Sequence, residues 1–207
     1  MRHSPGHVVL ALALVAAASP AAAQPASPSD PLPTCEWCGA AEAPRGVGPA
    51  VTIAGAAEPG ERLVVTGTVL QADGRTPAAG VLIYAYHTNA AGVYPKRGDE
   101  RGNARRHGYL RGWMRTGADG RYRIETIRPG TYPSRADPAH IHLTVTPAGG
   151  EEQSVDDVVF EDDPLVTPAY RARVRERGGS GIVRATRTAG DTLRAVRDIH
   201  LGRLAGG

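Results

Sequence analysis

Two-residue alternation of apolar and polar side chains, interrupted by short glycine-bearing turns, is the feature that most limits what this chain can become. The run RLVVTGTVLQADGRTPAAGVLIYAYHTNAAGVY, residues 62–94, is rich in Val, Ile, Thr and Tyr and carries ADG and NAAG between its apolar stretches. It reads as two strands joined by a turn at Asp73 and Gly74, because β-branched and aromatic side chains suit a pleated, half-buried surface and Asp-Gly suits a reversal. GYLRGWMRTGADGRYRIETIRPGTYP, residues 108–133, gives two more strands about Asp119 and Gly120. HIHLTVTP (140–147) and VDDVVFED (155–162) supply another pair, and TLRAVRDIHLG (192–202) a last strand. The helical signal is weak, strongest from Pro168 to Glu176. Many short strands with turn residues between them predict an all-β fold, a β-sandwich with little helix.

The start of the chain reads differently. MRHSPGHVVLALALVAAASPAAA combines Arg2, an apolar run from Val8 to about Ala18, and small residues at Ala21 and Ala23. That pattern predicts a secretory signal peptide over residues 1–23. The apolar run is shorter than the roughly 20 residues a membrane span needs, so the expectation is an exported protein, periplasmic or extracellular, with no membrane span. Residues 24–60 read as a linker, QPASPSDPLP, followed by a cysteine-bearing extension, and residues 61–207 as the sandwich domain. Removing residues 1–23 takes away Arg2 alone and lowers the formal net charge from +3 to +2. So weak a charge gives no reason to expect nucleic acid as a partner. The two cysteines, Cys35 and Cys38, share the segment PTCEWCGA. Their spacing fits a redox motif or half a zinc site as well as a local disulfide, and export would favour the disulfide.

Chemistry concentrates in PGTYPSRADPAHIHLTVTP, residues 129–147. On a strand His140 and His142 share one face while Ile141 turns to the other, so two imidazoles are available to one ion. Alone, the pair also fits one core and one surface histidine. Tyr132, boxed by Pro129, Gly130 and Pro133, and Tyr94, in NAAGVYP, add two phenols on stiff loops at strand ends. Phenolate is a hard anionic donor that suits a hard trivalent ion better than zinc or copper(I). A phenol with an ordinary pKa near 10 ionises at neutral pH only beside such a charge. Two phenolates and two imidazoles would select ferric iron.

Four segments, IYAYHTNAAGVYP, RTGADGRYRIETIRPGTYP, PAHIH and VVFEDDPL, resemble in order and spacing the intradiol ring-cleavage dioxygenases of the protocatechuate 3,4-dioxygenase and catechol 1,2-dioxygenase type. The resemblance runs over about residues 60–165. It implies non-haem Fe(3+) held by Tyr94, Tyr132, His140 and His142 in a β-sandwich core. It also implies a small aromatic diol and O2 as reactants, with cleavage between the two hydroxylated carbons. Members of the family usually carry Arg three residues before the first histidine, facing the substrate. Here that position is Asp137, and the nearest arginine is Arg135. The active-site Gln of the family aligns with Asp157. Either Arg135 swings into the vacated place or Asp137 is only a surface loop residue; both readings stand. Two acids in these places favour uncharged catechols over carboxylated ones.

Other titratable groups have plainer readings. His87 is expected at a pocket rim or surface, His107 and Tyr109 as structural residues or substrate neighbours, and His200 as structural. Glu161, Asp162 and Asp163 read as a solvated turn, and the arginines of YRARVRERGG, residues 170–179, as a solvated face. Three function classes follow. The leading one is an exported Fe(III) dioxygenase. A second is a binding sandwich of the transthyretin or carboxypeptidase-regulatory kind, which ADGRYRIETIRPG also resembles. The third is another metal-dependent oxidase with copper, zinc or Fe(II) at the two histidines and a carboxylate such as Asp137. Each is compatible with a homo-oligomer.

Overall fold

The structure, a computed structural model, describes Met1 and residues 31–176, 181–188 and 190–202. The expected signal peptide, the first part of the linker and residues 177–180 of the arginine-rich segment lie outside the described residues.

Two sheets carry the fold. The first is built from β1 (Ala50–Thr52), β2 (Arg62–Leu70), β5 (Arg121–Ile127), β9 (Thr186–Arg187), β10 (Leu193–Val196) and β11 (Ile199–His200), in the order β1-β5-β2-β10-β9 with β11 also on β2. The second is built from β3 (Leu82–His87), β4 (Arg111–Arg115), β6 (His140–Thr146), β7 (Gln153–Phe160) and β8 (Ile182–Val183), in the order β4-β3-β6-β7-β8. Alternate side chains of both sheets, among them Val65, Ile124, Ile83, Ile141, Leu143 and Phe160, meet in one buried core. This is the expected all-β sandwich. Among the described residues its helices are α1 (Ala104–His107) and α2 (Pro168–Glu176), beside a 3-10 turn at Ala40–Glu42.

The expected turns form, but they do not close hairpins. At the first, the Asp73 carboxylate accepts the backbone N–H groups of Arg75 and Thr76, both at 2.8 Å, and Gly74 takes φ 68°. The chain then crosses to the opposite sheet, so β2 pairs with β5 and β3 with β4 and β6. The turn at Asp119 and Gly120 likewise sends β4 and β5 to different sheets. A turn dictates a local reversal, whereas pairing follows from which apolar faces the core brings together. Only β6 and β7 pair as sequence neighbours in the way their spacing suggested. The last strand is split in two at Arg197 and Asp198.

The described part of the cysteine-bearing extension packs on the sandwich. Ala50–Thr52 runs parallel to β5 as β1. Cys35 and Cys38 form a disulfide, and the segment around them covers the outer face of the second sheet. Every residue of β3 is buried for that reason: Ile83 and Ala85 face the core, while Tyr84 and Tyr86 face this cover. Gly39 lies so close over the Tyr84 ring that a Cβ there would fall 2.2 Å from Tyr84 Cε1. The Glu152 carboxylate accepts the N–H groups of Gly39 at 2.8 Å and Ala40 at 3.0 Å, and the Thr144 hydroxyl at 2.6 Å, pinning the cover to β6.

Candidate metal centre

Strand β6 alternates as its sequence requires. Ile141 and Leu143 point into the core, and His140 and His142 point outward, half-buried. The outward direction matters, because it places the centre on the outer face of the second sheet and not between the sheets, where a site in a sandwich core would lie. Register sets Tyr86 of β3 directly opposite His142. Their rings stack with centroids 4.5 Å apart, and His107 stacks on the other side of Tyr86 at 3.6 Å.

Two loops deliver the phenols. Gly92, at φ 77°, comes so near the second loop that a Cβ would lie 1.9 Å from the Thr131 carbonyl oxygen. A Cβ on Gly130 would lie 2.3 Å from the Ala90 carbonyl oxygen. Only glycine allows this approach. The Thr88 hydroxyl donates to the Gly130 carbonyl at 2.8 Å, and the Gly130 N–H donates to the Asn89 carbonyl at 2.9 Å. Sewn together in this way, the loops bring the Tyr94 and Tyr132 hydroxyl oxygens to 2.6 Å.

The four expected ligands converge. Tyr132 Oη lies 3.1 Å from both His140 Nε2 and His142 Nε2, Tyr94 Oη lies 3.0 Å from His142 Nε2, and the two Nε2 atoms are 3.0 Å apart. Behind the rings, His140 Nδ1 donates to the Pro138 carbonyl at 2.6 Å and His142 Nδ1 donates to Asp157 Oδ1 at 3.1 Å. Both imidazole protons are thereby engaged at Nδ1, so both Nε2 atoms present bare lone pairs. Two hydroxyl protons are too few for five contacts of 2.6–3.1 Å among four such atoms. A cation satisfies all four at once, and the residues fit a metal.

Burial drives the titrations the same way. It lifts Tyr94 and Tyr132 above the ordinary phenol range and lowers His140. A His140 kept neutral by burial is ready to ligate, while the phenols need a bound cation to ionise.

Asp157 reaches His142 through a bulge. His140 pairs with Val159 and Ile141 with Val158, but Leu143 pairs with Val155, so Asp156 and Asp157 together lie opposite His142. The extra residue turns Asp157 towards the ring, a common use of bulges beside sites. An oxygen of Asp157 lies within 4.8 Å of ligand atoms of both histidines. It meets Nδ1, however, so it orients His142 from behind and is not a fifth member of the quartet. The sequence signal was VDDVV, where two consecutive polar residues break the alternation.

The other expectations sort clearly. Arg135 is exposed, at φ 52°, with its N–H on the Tyr132 carbonyl, and does not line the cleft above the quartet. That cleft, of about 520 Å³, is lined by Tyr132, Asp137, His140, His142, Asp157, Tyr170 and Arg173. Asp137 is therefore at the site, and Arg173 of α2 is a cation that motif matching did not single out. His87 is neither rim nor surface. It is fully buried between Thr126 Oγ1 and the Thr88 carbonyl, both at 2.7 Å, and burial lowers it to about 4. His107 sits behind Tyr86, donating from Nε2 to the Glu36 carbonyl at 2.7 Å and accepting the Tyr84 hydroxyl at 2.7 Å. Tyr109 donates to Glu58 at 3.0 Å, away from the cleft.

The acidic turn is not simply solvated. Asp163 is buried and accepts the N–H groups of Ala139 at 2.9 Å and Leu165 at 2.8 Å, steadying the entry to β6, and Asp162 forms a two-pronged pair with Arg128 at 2.8 Å.

Comparison with known proteins agrees with this geometry. Residues 39–178 match the family profile described as Dioxygenase. The beta chain of protocatechuate 3,4-dioxygenase from Burkholderia cepacia is 36% identical over 113 residues, covering 52% of this chain and 48% of that one. Catechol 1,2-dioxygenase 1 from Acinetobacter lwoffii is 32% identical over 130 residues, covering 55% and 40%. The chain thus spans about half or less of the length of these curated relatives. Among solved structures, the dioxygenase domain of a dioxygenase carbohydrate-binding protein fusion from Streptomyces sp. SirexAA-E superposes with a TM-score of 0.56 at 25% identity, over 76% of this chain and 90% of that one.

Proposed function

The chain belongs to the intradiol ring-cleavage dioxygenase family, and from that premise we propose that it is an exported non-haem Fe(III) enzyme cleaving catechol-type rings with O2. The observation that carries the reading is the convergence of Tyr94, Tyr132, His140 and His142, whose four donor atoms make five contacts of 2.6–3.1 Å. Two hard anionic oxygens and two imidazoles favour a trivalent ion. Export is supported by the leader-like start of the chain and by the Cys35–Cys38 disulfide, a bond that oxidising compartments maintain.

Ferric iron, when bound, supplies Lewis acidity that lowers the pKa of the substrate's hydroxyls. The chain's own residues do the rest. Asp157 and the Pro138 carbonyl hold both imidazoles with Nε2 forward. Tyr132 is the phenol that lines the cleft, so its oxygen meets an entering diol and is placed to take a proton from it. Tyr94 lies behind Tyr132. Tyr86, sandwiched between His107 and His142, forms an apolar wall that keeps water from the rear of the ligand ring. Cleavage between the two hydroxylated carbons gives a cis,cis-muconate-type diacid.

The test is optical. Protein loaded with ferric iron is expected to be red to burgundy from tyrosinate-to-metal charge transfer, and Tyr132→Phe is expected to bleach it. Oxygen uptake with catechol, hydroxyquinol and protocatechuate then reads the activity. Colourless protein with no iron retained would overturn the proposal.

A further inference from the structure

We propose that Asp137 is a catalytic base that accepts the second hydroxyl proton of the bound diol. This rests on the dioxygenase reading of the same centre and deepens it by assigning a proton acceptor there.

A diol that binds through both oxygens must lose two protons. Tyr132, the phenol lining the cleft, is placed to take one. The other needs a second acceptor, and the lining offers few. His140 and His142 commit their Nε2 lone pairs to the quartet. Tyr170 and Arg173 bring a phenol and a guanidinium, which near neutral pH are proton donors and not acceptors. Asp157 already accepts the Nδ1 proton of His142 at 3.1 Å, and protonating it would give up the charge-assisted bond that orients that ring. Asp137 remains. Among the described residues its carboxylate accepts no hydrogen bond and joins no ion pair, although it lines the cleft.

The position suits the role. The segment carrying Asp137 joins two of the ligands and is fixed at both ends. At one, the Arg135 N–H donates to the Tyr132 carbonyl at 2.8 Å; at the other, the Pro138 carbonyl accepts His140 Nδ1 at 2.6 Å and the Ala139 N–H donates to buried Asp163 at 2.9 Å. Pro138 also disfavours helical backbone at Asp137. Beside the larger effect of burial, the negative charge of Asp137 acts on both Tyr132 and His140, so it lies near both rings. It is not, however, among the clustered ligand atoms of His140, His142 and Asp157, so it stands back from the metal position and leaves room for a diol oxygen between. One O–H bond of the diol breaks at each acceptor, one O–H bond forms on Tyr132 and one on Asp137, and no electrons change hands. Asp137 is exposed, so the proton it gains passes to water before the next turnover.

The test mixes iron-loaded full chain anaerobically with catechol or with phenol and follows the visible band by stopped flow. Catechol has two hydroxyl protons to lose and phenol one. For Asp137→Asn the catechol binding rate is expected to fall about 100-fold, the lower end of what a positioned base supplies, with the phenol rate unchanged. In Asp137→Ala, added formate is expected to restore the catechol rate in proportion to its concentration, which a merely structural role would not allow. The colour of the ligand-free protein is the control. If it is absent in wild type, the dioxygenase reading itself has failed. If it is present in wild type but shifted in Asp137→Asn, Asp137 is a metal ligand and its assignment as a base is overturned. If it is unshifted and the variant slows both ligands equally, or neither, the assignment is overturned and the parent reading stands.

Discussion

Asp157 Oδ1 accepts the Nδ1 proton of His142 at 3.1 Å, across a bulge that sets two residues of β7 against one of β6. The pair decides which nitrogen of His142 faces the cleft. Asp157→Asn keeps the shape but can present an amide proton to Nδ1 and favour the wrong tautomer. Iron affinity is expected to fall about 10- to 100-fold, the usual cost of losing a group that orients a metal-bound histidine. Competition with a chelator measures it, and unchanged affinity would exclude the orienting role.

The contact between the tyrosine loops gives a second prediction. Gly92→Ala forces a Cβ to 1.9 Å from the Thr131 carbonyl oxygen and strains a backbone at φ 77°. The loops must separate, and with them Tyr94 and Tyr132. Loss of the iron colour is expected together with at least about 2 kcal/mol of stability, by denaturant titration. Gly149 is the control, because its φ of 72° is similar but nothing lies within 4 Å of the added methyl. Gly149→Ala should cost about 1 kcal/mol and leave the colour intact.

Buried His87 sets an acid limit. Burial lowers it to about 4 in the fold, below the ordinary 6.5, and desolvation is the main cause. A depressed pKa means that the unfolded chain binds the proton first, so the stability due to neutral His87 is complete above pH 6.5 and is lost as pH falls towards 4. The loss from this residue is about 3 kcal/mol. His107, also lowered to about 4 by burial, acts in the same direction. Stability measured from pH 7 to 4 should decline, and His87→Gln should make the decline shallower. An identical slope in the variant would show that His87 is not the group responsible.

The disulfide offers a fourth. Closing so short a loop contributes about 2 kcal/mol by chain entropy. The loop is also held at its carbonyls: Asn103 Nδ2 donates to Cys38 at 2.7 Å and Cys35 at 2.9 Å, and His107 donates to Glu36 at 2.7 Å. Reduction, or the double replacement Cys35→Ser with Cys38→Ser, should lower Tm by about 4–8 °C. The stack of His107, Tyr86 and His142 links this loop to the centre, so the visible band of the iron protein should broaden as well. A Tm that reductant does not move would mean that the hydrogen bonds alone hold the segment.

Much of this protein is determined locally and could be read from the chain. Period-two alternation makes strands of Arg62–Leu70 and His140–Thr146, and it necessarily puts His140 and His142 on one face because successive side chains point opposite ways. The glycine and proline brackets around Tyr94 and Tyr132 stiffen those loops whatever surrounds them. Tertiary structure alone decided the rest. Strands β2 and β3 belong to different sheets although a good turn joins them, since pairing is settled by which distant apolar faces close the core. The same packing places the quartet on the outer face, buries His87, seats the disulfide segment over Tyr84, and brings Arg173 from a helix some thirty residues beyond the histidines to the cleft that motif reading had searched for a cation at Arg135. Alternation and turn chemistry act between chain neighbours, but a site's charge balance is a sum over groups that only the folded chain brings within reach of one another.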